Sequence, residues 1–359
     1  MAWLFGDGFD FYANASADWG FGQIGDTNWA SFGGGGVISS TTPYGSGLCF
    51  NCAAAGQGAT SITFANSTTI WINFALYNTA WAYSTGGTTV QHGFYLRDAT
   101  SLQVGVYIRN GGDIIVTNGQ GNGTNLYTSS QIIPNASANG AWHHFQFKIV
   151  INNTTGSVEC RMDGAASNNF TATGLNTRNG TTNSYCNSVV WGLIPTGTAG
   201  QGYWDDLYAF NDQGAVPNNW AGQVRCYSYY PSSDNTITWT PNSGANNFSR
   251  VNQAYDADTT YVSTTTVNNV DRYNLAALPT TPNTILNVQT RCVARMDDAG
   301  PHTVNSRLWS GSSTADAAQL TCSASYQQLW KNNLNDPATS SPWAASTLST
   351  LNIGIIDIL

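Results

Sequence analysis

The sequence predicts an all-β protein of two β-sandwich domains, a larger one over residues 1–231 and a smaller one with one short helix over residues 232–359. Three observations carry this. Apolar and polar side chains alternate with period two in stretch after stretch, which is the signature of a strand with one face in a core. Turn residues, among them 37 glycines, separate those stretches at short intervals. The chain has 359 residues, about two domains at the usual roughly 100–200 residues each.

Residues 1–65 are rich in Gly and aromatics, from Phe5-Gly-Asp-Gly-Phe-Asp-Phe-Tyr12 to the run Gly33–Gly36, and read as short strands joined by turns. Ile70, Ile72, Phe74 and Leu76 then share one face, with Trp71, Asn73, Ala75 and Tyr77 on the other. Phe94–Leu96 is a short strand. Leu102, Val104, Val106 and Ile108 alternate up to Asn110-Gly111, where the chain turns into Ile114–Val116; Asn-Gly between alternating runs marks a hairpin, because both residues accept positive φ. In Trp142–Ile151 the residues Phe145, Phe147, Ile149 and Ile151 face in, and Val158, Cys160 and Met162 do so on the returning strand, which ends at Asp163-Gly164. By phase His143 joins the apolar face and His144 the polar one. Val189–Ile194 is a further buried strand.

Two strands close the domain. In Tyr203–Phe210, Trp204, Tyr208 and Phe210 fall on one face and Leu207 and Ala209 on the other; a polar loop leads to a partner strand over Gln223–Tyr230, ended by Pro231. Pro231–Asn235 reads as a polar linker. In the second domain the clearest strand spans Thr284–Met296, followed by Thr303–Trp309 after Asp297-Asp-Ala-Gly300. Ser341-Pro-Trp places a cap and a first-turn proline before a helix to Leu348, and Asn352–Leu359 is the last strand.

The Asp205-Asp206-Leu207-Tyr208 strand, polar loop, Gly222 and Val224-Arg225 strand ending in Pro231 resemble the closing segment of concanavalin-like jelly-roll proteins found among tailed-bacteriophage structural genes. Asp7-Gly8 followed by Phe9, Phe11 and Tyr12 resembles their opening. The Trp142-His-His hairpin resembles the central hairpin of laminin G-like and concanavalin-like sandwiches. The resemblance covers most of residues 1–231 and implies a concanavalin A-like jelly-roll first domain in a virion structural protein.

Charged residues make up 9% of the chain, and 38 asparagines stand against 32 charged side chains, so amides, hydroxyls and Gly must build the surface. Apolar residues at 41% exclude a disordered chain. The net charge is −8 and Lys148 and Lys331 are the two lysines, which leaves no basic footprint for nucleic acid. No apolar run approaches the ~20 residues of a spanning helix, and the first residues lack the pattern of a signal peptide, so neither membrane insertion nor export by a leader is expected. Seven cysteines are scattered, with Cys160, Cys226 and Cys292 in phase with apolar positions, and are expected as buried thiols. Cys49-Phe-Asn-Cys52 has metal-ligand spacing, but no second pair completes a zinc site.

The fold implied by the resemblance also occurs in β-glucanases, whose carboxyls stand on one strand as Glu-x-Asp-x-x-Glu. Here the single glutamate, Glu159, has no partner at that spacing. Asp205 and Asp206 are adjacent, and adjacent strand residues point to opposite faces; the expectation is that one accepts loop amides and the other meets solvent. A calcium site at this pair or at Asp256 and Asp258 is the alternative. His143 and His144 lack a nucleophile motif and a carboxylate at readable spacing, and read as structural. Aromatics such as Trp81 and Tyr83, with neighbouring amides, offer a carbohydrate platform.

The resulting expectation is a non-enzymatic virion component of a tailed bacteriophage, a surface-exposed head decoration, collar or tail protein assembled in the host cytoplasm. It has no catalytic, metal or cofactor residues. Its partners are other virion proteins, copies of itself in a homo-oligomer such as a trimer, and a host-surface glycan. A carbohydrate-binding, receptor-binding module is the alternative, and a glycoside hydrolase is further behind.

Overall fold

The computed structural model describes residues 2–12, 29–33, 36–42, 47–52, 58–78, 90–121, 123–134, 141–193, 202–213, 219–254, 256, 258–278 and 280–358. The chain divides into two compact units, with the main break between Tyr227 and Ser228.

The first unit contains β1 (Ala2–Asp7), β2 (Trp29–Gly33), β3 (Val37–Ser39), β4 (Cys49–Cys52), β5 (Gly58–Ser61), β6 (Thr69–Asn78), β7 (Val90–Asp98), β8 (Ser101–Arg109), β9 (Asp113–Asn118), β10 (Thr124–Gln131), β11 (Trp142–Val150), β12 (Gly156–Met162), β13 (Phe170–Leu175), β14 (Ser188–Leu193) and β15 (Gly202–Asn211). They form two antiparallel sheets. One runs β13-β12-β11-β6-β15-β4-β3 with β1 also on β15, and the other β10-β9-β8-β7-β14-β5-β2. This is a β-sandwich of jelly-roll, concanavalin A-like type.

Period two decides what faces the core. Ile70, Ile72 and Phe74 of β6 lie opposite Ile149, Phe147 and Phe145 of β11, and all are buried. Between the sheets the rings of Phe74, Phe94, Phe147 and Trp204 meet at 4.9–6.0 Å. Phe5, Trp29 and Trp191 form a second aromatic group at 4.6–5.8 Å.

One irregularity corrects the expected phase of β15. Asp205 pairs with Ala75 but Tyr208 pairs with Asn73, so an extra residue is accommodated between them, with Asp206 at φ 50°. Trp204 therefore faces in, against Phe74 at 4.9 Å, while Tyr208 and Phe210 belong to the outer cluster with Trp71. The expected partner strand over Gln223–Tyr230 is absent: these residues are irregular. Amides in and just before the segment bond to side chains instead, Gly222 N to Gln146 Oε1 at 3.0 Å and Cys226 N to Asp206 Oδ1 at 2.6 Å. Trp220, Ala221 and Val224 pack on Trp71, Tyr208 and Phe210. The segment is a cover on the sheet's outer face.

The second unit contains β16 (Pro231–Thr236), β17 (Thr240–Pro241), β18 (Val262–Ser263), β19 (Val270–Leu275), β20 (Val288–Ala294), β21 (Thr303–Ser310), β22 (Ser313–Asp316), β23 (Leu320–Thr321), β24 (Gln327–Asn333), α1 (Ala345–Leu348) and β25 (Asn352–Asp357). Pro231–Asn235, expected as a linker, is the edge strand of a sheet ordered β16-β19-β25-β21-β22, with β23 also on β21. Its proline sits at the strand's first residue, where no ladder donor is required. The ribbon β20–β24 supplies Cys292 and Leu329 to a core with Val304, Cys322 and Ile355. The helix is a single turn capped by Ala344 rather than by Ser341. Fully buried Asp271 organises this unit. It accepts the amides of Thr238 and Trp239, Asn247 Nδ2 and Tyr273 Oη at 2.6–2.9 Å.

Neighbouring residues on β11 test the face assignment. Phe147→Ala should cost about 3–5 kcal/mol through lost burial and a cavity, whereas Lys148→Ala on the outer face should cost less than about 1 kcal/mol. Urea denaturation of both variants measures the difference.

Candidate functional site

The outer face of the sheet containing β6 carries side chains in transverse rows, because β11, β6 and β15 run in register. The row at one end is aromatic. Trp142 lies opposite Tyr77, and Tyr77 opposite Tyr203, with ring centroids 5.5 and 5.7 Å apart. Trp142 and Tyr77 are half-buried, and Tyr203 is 8% exposed. Asn51 of β4 is the next residue in the row; its Oδ1 is buried and makes no hydrogen bond among the described residues. Burial pushes the Tyr203 hydroxyl above its ordinary pKa, with Thr41 donating in opposition. This row was not apparent as a platform from the sequence: Tyr77 and Trp142 sit in outward phase near strand ends, but period two places Tyr203 with Leu207 and Ala209, and only the bulge brings it to the outer face. Trp81 and Tyr83, the rings singled out there, lie outside the described residues.

The next row is polar around a small floor, with His144 and Asp205 on either side of Ala75. Burial holds the Asp205 carboxyl well above the usual carboxylate range, and the negative charge of Asp206 adds to this. Asp205 Oδ1 accepts the Asp206 amide at 2.7 Å. Asp206 binds a loop amide as expected, but Asp205 is 5% exposed and does not meet solvent. The bulge invalidates the argument that the two side chains must diverge. A third row follows, Gln146, Asn73 and Tyr208, closed over by Gly222, whose carbonyl accepts the Tyr208 hydroxyl at 2.9 Å.

The histidines have a carboxylate partner that sequence spacing did not reveal. The β11–β12 hairpin returns Asp163 to the start of β11, where Oδ2 lies 2.8 Å from His143 Nδ1 and Oδ1 accepts the His144 amide at 2.8 Å. Burial alone would raise the Asp163 carboxyl, but these hydrogen bonds outweigh it and hold it below the usual range. His144 stacks on Tyr208 at 6.2 Å, and burial lowers its pKa to about 4 against the opposing pull of Asp163.

The remaining candidates have separate attachments. Glu159 bonds Lys148 at 3.1 Å and Asn168 at 2.8 Å. Asp256 accepts Thr260, whereas Asp258 accepts Arg295 and Tyr326. Among the described residues no group of three or more His, Cys, Asp or Glu is arranged to hold a metal ion. All seven cysteines are free thiols, five of them buried.

No family model matches the chain, and no curated protein matches it. Among solved structures, it is similar to an endo-1,3-β-glucanase from Streptomyces sioyaensis at 12% identity and a TM-score of 0.36, over 58% of this chain and 95% of the other. Lectin I of Ulex europaeus, solved with the methyl glycoside of α-L-fucose, is similar at 9% identity and a TM-score of 0.37, over 57% and 97%. Arcelin-5, a lectin-like defense protein of Phaseolus vulgaris, is similar at 9% identity and a TM-score of 0.34, over 52% and 93%.

The His144 environment makes a pH prediction. A base whose folded pKa lies below its unfolded value of 6.5 stabilises the fold fully above that value and loses the contribution as pH falls through about 4. The loss amounts to about 3 kcal/mol at most. His144→Gln should therefore melt with a shallower pH dependence between pH 6.5 and 4 than the parent. Asp205 contributes with the opposite sign, being easier to bury when protonated, and is common to both proteins. Equal slopes would refute the assignment.

Proposed function

We propose that this chain is a non-enzymatic carbohydrate-binding surface protein whose first unit engages a neutral glycan along Tyr77, Trp142 and Tyr203. The observation that carries the reading is the aromatic row across three adjacent strands, ending at the Asn51 amide. The apolar C–H face of a pyranose stacks on such rings, whose lateral spacing follows the strand spacing of about 4.8 Å. The Asn51 amide oxygen, buried and without a partner among the described residues, suits a sugar hydroxyl donor once a shift of its side chain uncovers it. Binding rather than hydrolysis fits the carboxyls. Glycoside cleavage generally uses two carboxyl groups flanking one bond; here Glu159 is neutralised by Lys148, and Asp205 and Asp206 are engaged with backbone amides.

A second reading places the chain on the surface of a tailed-phage virion, beside other virion proteins and copies of itself. What favours it is the Asp205–Pro231 resemblance and a surface of uncharged amides. The two readings are compatible if the glycan belongs to the host surface.

A neutral-glycan array probed with the full chain tests the first reading. Binding should fall about tenfold or more in Trp142→Ala with little change in melting temperature; no binding, or binding indifferent to this substitution, overturns it. Mass spectrometry of purified particles tests the second, and absence of the chain would refute it.

A further inference from the structure

The second unit presents a face of different chemistry. On the outer side of its main sheet Arg272, Gly354 and Arg307 form one transverse row, and Asn274, Asn352 and Trp309 the next. Both guanidiniums lie over the Trp309 indole, at 5.1 and 5.7 Å from its ring centroid. Trp309 is 9% exposed while both arginines remain partly exposed. Between them Gly354 keeps the floor flat, since a methyl group there would run into the Asp271 carbonyl.

The guanidiniums are oriented by different means. Arg307 Nε and Nη2 both bond Asp316, which balances its charge. Arg272 Nε and Nη2 both bond Asn352 Oδ1, a neutral acceptor. Asn352 is held in turn by Asn274, and Asn274 by Ser233 Oγ, at 2.8 and 2.9 Å. No acidic side chain pairs with Arg272 among the described residues, so a fixed positive charge stands partly exposed in a chain of net charge −8. A second feature points outward. Asn305, two residues before Arg307 on the same face, is 5% exposed, and its Oδ1 accepts no hydrogen bond among the described residues.

We infer that this face binds a carboxylate-bearing sugar. Arg272 receives the carboxylate through the Nη1 side that its contact with Asn352 leaves open, and stacking on Trp309 reduces the ordering cost on binding. Asn305 Oδ1 accepts a ring hydroxyl. One unbalanced arginine among neutral amides suits a single carboxylate, whereas a phosphate polymer requires several cations. The inference rests on the glycan-binding reading only in choosing a carbohydrate as the carrier of that carboxylate.

The test is isothermal titration of the full chain with trigalacturonic acid and with 3′-sialyllactose, which separate uronate from sialate sources, and with trigalacturonate methyl ester as the neutral control. At least one acid should bind, and where that acid is trigalacturonate its ester should be about tenfold weaker or worse. Arg272→Gln should weaken binding of the acid by about tenfold or more. Trp142→Ala should leave it unchanged, so this site and the aromatic row of the first unit fail or succeed separately. If Arg272→Gln does not fold, Asn305→Asp replaces it, expected to repel the acid by a similar factor. Binding of neither acid, an ester bound equally well, a variant of full affinity, or equal competition by inorganic sulfate would each overturn the proposal.

Discussion

The first unit depends on the register of β6 with its two neighbours. Nine consecutive residue pairs join it to β11, and eight join it to β15 across a bulge. A slip of one residue would exchange Ile70, Ile72, Phe74 and Leu76 for Trp71, Asn73, Ala75 and Tyr77, placing an amide in the core and four apolar side chains on the outer face. The same constraint that fills the core also aligns Trp142, Tyr77 and Tyr203 outside it. The backbone under the aromatic row is therefore fixed by the same register, which would limit the ordering cost of the proposed glycan contact.

The bulge at Asp206 is the compensating feature. Without the extra residue, Trp204 could not face in while Tyr208 and Phe210 face out, and the segment 219–226 would lose the aromatic surface it covers. The cover makes no ladder. It is held by side-chain acceptors, Gln146 and Asp206, and by the Tyr208 hydroxyl donating to a loop carbonyl. Across the other sheet, buried Gln103 bonds the Asn179 amide and the carbonyls of Asn183 and Tyr185. In the second unit Asp271 does the same for Thr238 and Trp239. A chain with few charges thus fixes its loops by amides and a few buried carboxyls, whose desolvation is offset by backbone donors.

Strands with an alternating apolar pattern or a clear hairpin turn before them were legible in the sequence: β6, β8, β11 and β12 are where period two places them, and β9 follows the turn after Asn110-Gly111. Strands at edges were not. Thr124–Gln131 and Phe170–Leu175 bury few side chains, so selection for a core leaves little pattern to read, and Pro231–Thr236 looked like a linker for the same reason. Gln223–Tyr230 misled in the opposite direction: Val224 and Cys226 alternate, but the apolar surface that Val224 meets is the outside of a finished sheet. The bulge has no local signal beyond two adjacent aspartates. The His143–Asp163 pair was readable in principle, since a hairpin turning at Asn152–Gly156 must return Asp163 beside His144. The platform on Trp309 was not, because it assembles from β19, β21 and β25, distant in sequence.

The carboxyls supply the argument for recognition over bond cleavage. A retaining or inverting site generally needs one carboxyl protonated and one ionised, both open to a groove and separated by about 5–10 Å. Asp205 and Asp206 meet part of this, because burial, reinforced by the neighbouring Asp206 charge, holds the Asp205 carboxyl well above its ordinary range. Yet Asp206 at 1% exposure spends an oxygen on the Cys226 amide, and Asp205 spends one on the Asp206 amide. To act on a glycan, both would have to give up these backbone donors, at about 1–3 kcal/mol for each donor left buried and unpaired. Stacking on Tyr77 and Trp142 demands no such rearrangement, since those rings already reach the surface. On that comparison the pair pins the segment that follows β15, and the proposed glycan contact is assigned to the aromatic row at the sheet's end.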